Sequence, residues 1–347
     1  MTRPSQRTKP TMSQNPQPPL FRTPIEISQV SYAISYNTPV MFAGSCFTEN
    51  IGDRLHALKF PCDINPLGIL YNPVSIRNGL EQLVHGKPYT AADLERGDDL
   101  WFSYHHHGRF SHRDQNTCLQ NINARLSRSA ALLKEARYLF LTLGTARVFA
   151  RKDTGQIVAN CHKQPAAIFD HYLLSVDTVT QACTTLIDNL LSHNPQLEIV
   201  FTVSPIRHWK DGASGNQLSK STLIVAVHQL VEQYKQVAYF PAYEIVMDEL
   251  RDYRFYTSDM LHLDEVAIDY IWQRFAATYI SEETLEISAQ VDKLLKATQH
   301  RPEDIESAGY QTFLERQLET IDLLKTKHPF LDLSDERQLF QSRKTTP

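Results

Sequence analysis

Two short stretches of this chain carry residue types that could do covalent chemistry together. The first, Gly44-Ser45-Cys46-Phe47-Thr48-Glu49-Asn50-Ile51-Gly52, follows the apolar run Val40-Met41-Phe42-Ala43. A small-residue turn between a buried strand and a helix exposes a hydroxyl or thiol beside the unpaired amide N–H groups of the helix start. Those groups can bind a developing oxyanion and help a thiol ionise. Ser45 and Cys46 are both candidate nucleophiles. The second stretch, Tyr256-Thr257-Ser258-Asp259-Met260-Leu261-His262, sets a carboxylate and an imidazole three residues apart. In a hydrolytic triad the histidine takes the nucleophile's proton, while the aspartate fixes its tautomer and stabilises the imidazolium. Asp259 and His262 are the candidate orienting acid and base. Each pattern alone is common, since a tight βα turn needs small residues for packing and a surface aspartate can simply cap a neighbouring histidine.

A frame must bring these distant residues together. Apolar, β-rich runs at 40–43, 138–143, 198–203 and 237–240 are bounded by Gly, Pro or small polar residues and predict buried strands of a parallel sheet. Helical patterns fill the intervals at 51–58, 176–191 and 218–234, the last with Val227, Leu230, Val231 and Tyr234 on one face. Asp264 is a good N-cap for a helix that buries Ile271, Phe275 and Tyr279, which leaves His262 two residues before the cap. Strands alternating with helices predict an open, doubly wound α/β sheet whose active residues collect at the carboxyl ends of the strands. The stretch 101–120, rich in His and Arg, reads as a polar insertion loop over the site or elsewhere on the surface. From Glu282 onward the pattern is helical, with Tyr310, Phe313, Leu314, Ile321 and Leu324 suited to packing on the domain or on a partner. The division expected is an arm at 1–23, a catalytic domain at 24–280 and a helical extension at 281–347.

Composition narrows the function classes. A chain of 347 residues can bury a substantial core, and a formal charge of -4 gives no basic excess, so nucleic acid is not an expected partner. The amino-terminal stretch has prolines and polar residues but no signal-like apolar run, and no later stretch reaches membrane-spanning length. A cytoplasmic protein with a disordered arm and no membrane contact is expected. The five cysteines are scattered and without a paired CxxC spacing, so neither a disulfide framework nor a zinc ribbon is expected.

Four motifs in order, Gly44-Ser45-Cys46-Phe47, Asn160-Cys161-His162-Lys163, Ser204-Pro205-Ile206-Arg207-His208 and Asp259-Met260-Leu261-His262, resemble the GSCFA family, a branch of the SGNH/GDSL hydrolase superfamily. The resemblance implies a three-layer α/β/α, flavodoxin-like fold; no cofactor is expected. Thr48 stands where the name-giving motif has Ala, and Leu263 follows His262 where Pro is common. In the superfamily the nucleophile commonly stands two places after the Gly, which is Cys46 here, whereas the superfamily's residue type is matched by Ser45. Both stay open. The second block implies an oxyanion-hole glycine at Gly68, with Asn72 as a side-chain donor, and Thr145 stands near where the third block has Asn. Asn160, His162, Lys163, Arg207 and His208 combine polar donors with cations at the ends of β-like runs, which suits binding a carboxylate, phosphate or sugar hydroxyls.

The expected activity is hydrolysis of an ester on a small molecule or carbohydrate, through an acyl-enzyme. Acyl transfer to a hydroxyl uses the same residues, and a fold of this kind can also survive as a carbohydrate-binding protein without chemistry. A metal enzyme is a further alternative, with His105, His106, His107, His112, Cys118, Cys161 and His162 as possible ligands. Their spacing matches no established metal motif, so no metal is expected.

Overall fold

The computed structural model describes residues 22–28, 30 and 32–344, so most of the expected arm at 1–23 lies outside the described residues. Eight strands matter for the site: β1 (Val40–Gly44), β2 (Cys62–Ile64), β3 (Tyr138–Leu143), β4 (Arg147–Arg151), β5 (Ile157–Val158), β6 (Phe169–Leu173), β7 (Glu198–Val203) and β8 (Val237–Tyr239). The helices are α1 (Cys46–Ala57), α2 (Pro73–His85), α3 (Gln115–Glu135), α4 (Val176–His193), α5 (Gly212–Gln233), α6 (Glu265–Tyr279), α7 (Glu282–Thr298), α8 (Ala308–Lys327) and α9 (Ser334–Ser342). No helix among the described residues is long and apolar enough to cross a membrane.

The five-stranded central sheet is parallel, in the order β8-β7-β3-β1-β2. Counting only its own strands this is the flavodoxin-like order 2-1-3-4-5, with its reversal between β1 and β3. Every residue of β1 and β3 is buried, because helices cover both faces. Side chains alternate strictly between two cores. Met41, Leu139, Leu141, Ile199 and Phe201 meet α2 to α5 on one side. Val40, Phe42, Tyr138, Phe140 and Val200 meet α1, α6 and the carboxy-terminal helices on the other. The second core is aromatic, with Phe42 stacked on Phe140 at 4.9 Å and Phe275 edge-on to Phe140 at 5.0 Å.

The four expected central strands are present nearly to the residue, and β2 is the fifth. The helix expected at 51–58 begins earlier, at Cys46, and the one expected at 218–234 begins at Gly212. Asp264 caps α6, accepting from Ala267 N at 2.8 Å. The stretch 101–120 is not a solvated loop. Its end is the first turn of α3, and His106 is buried between Tyr89 and Phe110, with ring centroids 4.8 and 5.2 Å away. In α8, Tyr310, Leu314, Ile321 and Leu324 are buried against the second core as expected.

The register decides what stands at the sheet's upper edge. Gly44 pairs with Thr142 and Leu143 with Val203, so the chain leaves β1, β3 and β7 side by side. Ser45, Thr145 and the segment from Ser204 to His208 therefore emerge as neighbours.

Candidate active site

Gly44 makes the turn after β1 possible. Its φ is 138°, and a Cβ there would lie 2.2 Å from the Thr142 carbonyl oxygen, so no other residue fits without moving β3. The Asn65 side chain accepts from Gly44 N at 2.9 Å, and Ser45 N donates to Thr142 O at 3.0 Å. Ser45 is the N-cap of α1 by backbone conformation, but its side chain makes no cap bond, and its hydroxyl is shut in with no partner among the described residues. Its Cβ and the Tyr71 ring both crowd the space that a side chain at Gly144 would fill.

Cys46 is the first residue of α1 and only half-buried. Burial pushes its thiol up, as does the carboxylate of Glu49, while the Phe47 and Cys46 amides and the Lys220 ammonium hold it down. The first amides of a helix have no intrahelical acceptor, so the groups that favour a thiolate here are also the ones that would hold an oxyanion. Glu49 itself is engaged by Arg109 and by Asn65.

The second stretch forms a closed turn from Tyr256 to Leu263, with Thr257 N donating to His262 O at 2.8 Å. Asp259 Oδ1 accepts from the amides of Leu261 and His262, each at 2.9 Å, and from the Thr257 hydroxyl at 2.8 Å. Its Oδ2 meets His262 Nδ1 at 2.6 Å. These donors, His262 first, hold the Asp259 carboxyl far below the usual carboxylate range. A carboxylate on Nδ1 selects the tautomer that leaves Nε2 free to take a proton. Among the described residues no hydrogen bond joins His262 to Ser45 or Cys46.

A cleft of about 550 Å³ lies at the ends of β3 and β7, lined by Tyr71, Asn72, Thr145, Asn160, Arg207, His208 and Leu261 among others. Leu261 belongs to the turn of the Asp259–His262 pair. Arg207, Trp209 and Leu261 also line a neighbouring cleft of about 760 Å³ that contains Asp259. Arg207 has no carboxylate partner among the described residues; it donates to Met247 Sδ at 3.4 Å. His208 sits edge-on to Tyr71 at 5.3 Å, and burial, aided by Lys220, pushes its imidazole down to about 4. Asn160 Oδ1 accepts from His162 N at 2.8 Å.

Other expected site residues are otherwise engaged. The Gly68 amide donates to Asn65 O at 2.8 Å, so it is not an open oxyanion donor in this conformation, and its glycine is required because a Cβ would lie 2.3 Å from His107 Cβ. Asn72 caps α2, bonded to Ser75 N at 2.8 Å and to Ser75 Oγ at 2.9 Å. The Thr145 hydroxyl is shared with Ser219 at 2.9 Å. His162 does not line the cleft: it stacks on Phe102 at 4.3 Å, and its Nε2 meets Ser103 O at 3.0 Å. Lys163 is exposed and outside the cleft lining. No cluster of three or more His, Cys, Asp or Glu side chains arranged to hold a metal occurs among the described residues.

Three residues of α5 escape a reading of the sequence. Asn216, Ser219 and Lys220 are wholly buried. Asn216 accepts from His208 N at 2.9 Å, Ser219 from Ala146 N at 2.8 Å, and Lys220 reaches the ends of β3 and β7. Their signal is positional, since they continue the stripe of Leu223, Val227 and Leu230 toward the amino terminus at helical spacing.

Comparison with known proteins adds the following. A model of the GSCFA family matches residues 39–275, and a model of the GSCFA domain protein, C-terminal domain, matches 291–346. Among curated proteins none matches. Solved structures similar to the chain include a carbohydrate esterase family 3 from Talaromyces cellulolyticus, 8% identical, with a TM-score of 0.33, covering 69% of this chain and 95% of that one. Another is the acetyl xylan esterase Est2A from the rumen bacterium Butyrivibrio proteoclasticus, 10% identical, with a TM-score of 0.32, covering 70% of this chain and 63% of that one. Scores this low bear on neither substrate nor mechanism. The family model, by contrast, spans well over half of the chain and takes in the glycine turn, the strand-end segments and the Asp259–His262 turn together, and on that match the chain belongs to the GSCFA family.

Proposed function

We propose that this protein hydrolyses esters, with Cys46 as nucleophile, His262 as general base and Asp259 as the group that orients the histidine. The observation that carries the reading is the 2.6 Å bond from Asp259 Oδ2 to His262 Nδ1 on a turn whose Leu261 borders the cleft at the strand ends. Cys46 is preferred to Ser45 because the Ser45 hydroxyl is enclosed, whereas Cys46 is partly open at the start of α1.

In the proposed reaction His262 Nε2 takes the proton from Cys46 Sγ as sulfur bonds to the ester carbonyl carbon. The tetrahedral oxyanion is held by the amides at the start of α1. His262 returns the proton to the departing alkoxide, leaving a thioester. Water, deprotonated by the same imidazole, releases the carboxylic acid and restores the thiol. For this to run, the exposed His262 side chain must approach Cys46 when substrate fills the cleft. The lining suits an acylated sugar: Asn160, Arg207 and His208 offer donors to hydroxyls, and Trp209 offers an exposed aromatic ring.

Turnover of p-nitrophenyl acetate by purified variants tests the assignment. Cys46→Ala and His262→Gln are expected to lose about a thousandfold or more in kcat/KM, while Ser45→Ala keeps most of it. Loss in Ser45→Ala with activity retained in Cys46→Ala would transfer the nucleophile to serine.

A further inference from the structure

Arg207 stands where the two clefts meet. It lines both the cleft at the ends of β3 and β7 and the neighbouring one that contains Asp259, and of the three side chains common to the two, Arg207, Trp209 and Leu261, it alone is charged. The other arginines and acidic side chains of the two linings are neutralised where they stand. Asp211 lies between Arg147 at 3.6 Å and His171 at 3.7 Å, and Arg251 meets Asp248 at 3.2 Å. Asp252 meets Arg254 at 3.6 Å, and Asp259 holds His262 at 2.6 Å. Arg207 has no carboxylate partner among the described residues. Its side-chain hydrogen bonds go to the Met247 sulfur and the Tyr256 hydroxyl, neutral acceptors that leave its charge unbalanced.

A guanidinium that is only partly solvated is more stable with an anion beside it, and its planar fork matches a carboxylate or a phosphate. Arg207 is half-buried, so water meets part of it alone. An anion entering here would find the exposed Lys210 on the first cleft as well, and every carboxylate of the two linings already engaged. The positive character is local, because the chain as a whole has a formal charge of -4. Two residues on from Arg207, Trp209 is exposed on both clefts, and an indole is a common platform for a sugar ring. Arg207 and Trp209 therefore present a cation and an apolar ring to the same bound molecule.

We propose that the sugar bound here is an acidic one and that Arg207 is its specificity-determining residue: the guanidinium pairs with a carboxylate or phosphate group of the sugar where the two clefts join, beside Trp209. The inference rests on the reading of this site as one for a carbohydrate ester and names the class of that carbohydrate. Arg207 touches the part of the substrate that does not react, so its contribution falls on which sugar is held, while the chemistry stays with Cys46, His262 and Asp259.

The test is an NMR titration of the full chain with methyl glycosides that differ only at C6, which carries a hydroxymethyl, a carboxylate or a phosphate, in both the gluco and the galacto series. None of these probes has an acyl ester, so binding is read without turnover. In one series or the other an anionic form is expected to bind at least about tenfold tighter than its hydroxymethyl counterpart. Which of the two anions has the larger advantage identifies the group that Arg207 holds. In Arg207→Gln the ratio of the two affinities is expected to fall to about one, and Arg207→Lys, which keeps the charge without the fork, retains part of it. Arg251→Gln removes a cation that already has its carboxylate, and there the ratio is expected to persist. Equal binding of charged and neutral forms, no binding by any form, or a preference that survives Arg207→Gln in a chain shown to be folded by circular dichroism overturns the proposal. So does an equal loss in Arg251→Gln, which would make the preference a property of the general field. Turnover of uncharged p-nitrophenyl acetate reports the hydrolase reading separately. An Arg207-dependent preference in a chain that cleaves no ester would retain the anion site and sink the hydrolase, and Cys46-dependent turnover without the preference would do the reverse.

Discussion

His106 and His208 sit where a protonated imidazole is poorly tolerated, since burial pushes the first down to about 3 and the second to about 4. Both folded values lie below that of an unfolded histidine, so the unfolded chain binds more protons across the interval between them. The stability they contribute is complete above about pH 6.5 and is lost as pH falls toward 4 and then 3. Urea unfolding from pH 7 to pH 4 is therefore expected to show falling stability with a shallower slope in His106→Gln, and equal slopes would contradict the burial argument. Asp259 titrates in the same sense, with its folded carboxyl held low by His262, but its side chain is half exposed and adds little. At this scale the residues of the proposed reaction stood out because each stands in a short, ordered motif. Lys220 did not, because one lysine in a helical pattern reads as solvated until the burial of its neighbours is known. His162 and Lys163 misled for a related reason. A motif marks residues as special without saying whether they face the cleft or, like His162, hold a loop against Phe102.

Helix starts separate the elements that depend on a side-chain cap from those that do not. Asp264 accepts from Ala267 N at 2.8 Å and caps the helix that follows the Asp259–His262 turn, whereas Ser45 makes no cap bond to α1. Asp264→Ala is expected to cost about 1 kcal/mol of stability by urea unfolding, and Ser45→Ala is expected to be neutral or stabilising because it removes an unsatisfied hydroxyl. A Ser45→Ala chain that is less stable by about 2 kcal/mol would mean that the hydroxyl has a partner. The turn after β1 tolerates less: Gly44→Ala must displace the Thr142 carbonyl and is expected to cost more than about 3 kcal/mol. The strands were legible because both faces are buried and their apolar runs are unbroken. β2 was not, being three residues long, and α3 was hidden because its buried positions, Cys118, Ile122, Leu126, Ser129 and Leu133, are set among polar residues.

Across the whole molecule the two cores divide the labour. The core shared with α2 to α5 positions the strand ends, and the aromatic core shared with α1 and α6 is closed by α7 to α9, where Val291, Leu294, Leu314, Ile321 and Phe340 are buried. Lys59, two residues past the end of α1, meets Glu336 of α9 at 2.8 Å, so an ion pair as well as apolar contact ties the carboxy-terminal helices to the segment that follows α1. A chain ending at residue 281 would bare that apolar surface and is expected to aggregate on expression; a soluble, monomeric product in analytical ultracentrifugation would show that these helices are dispensable. The parallel sheet was legible from alternating strands and helices, and so was the helical extension. An approach of the turn near residue 260 to the turn near residue 45 would depend on the strand order, which no local pattern states. That approach is what the proposed chemistry needs, and it is tested most directly by acid-quenching the protein during turnover of p-nitrophenyl acetate and mapping the acetyl group by peptide mass spectrometry. The account expects the acetyl group on Cys46 in the unaltered chain and its loss in His262→Gln. An acetyl group on Ser45, or on Cys46 to the same extent without His262, would contradict it.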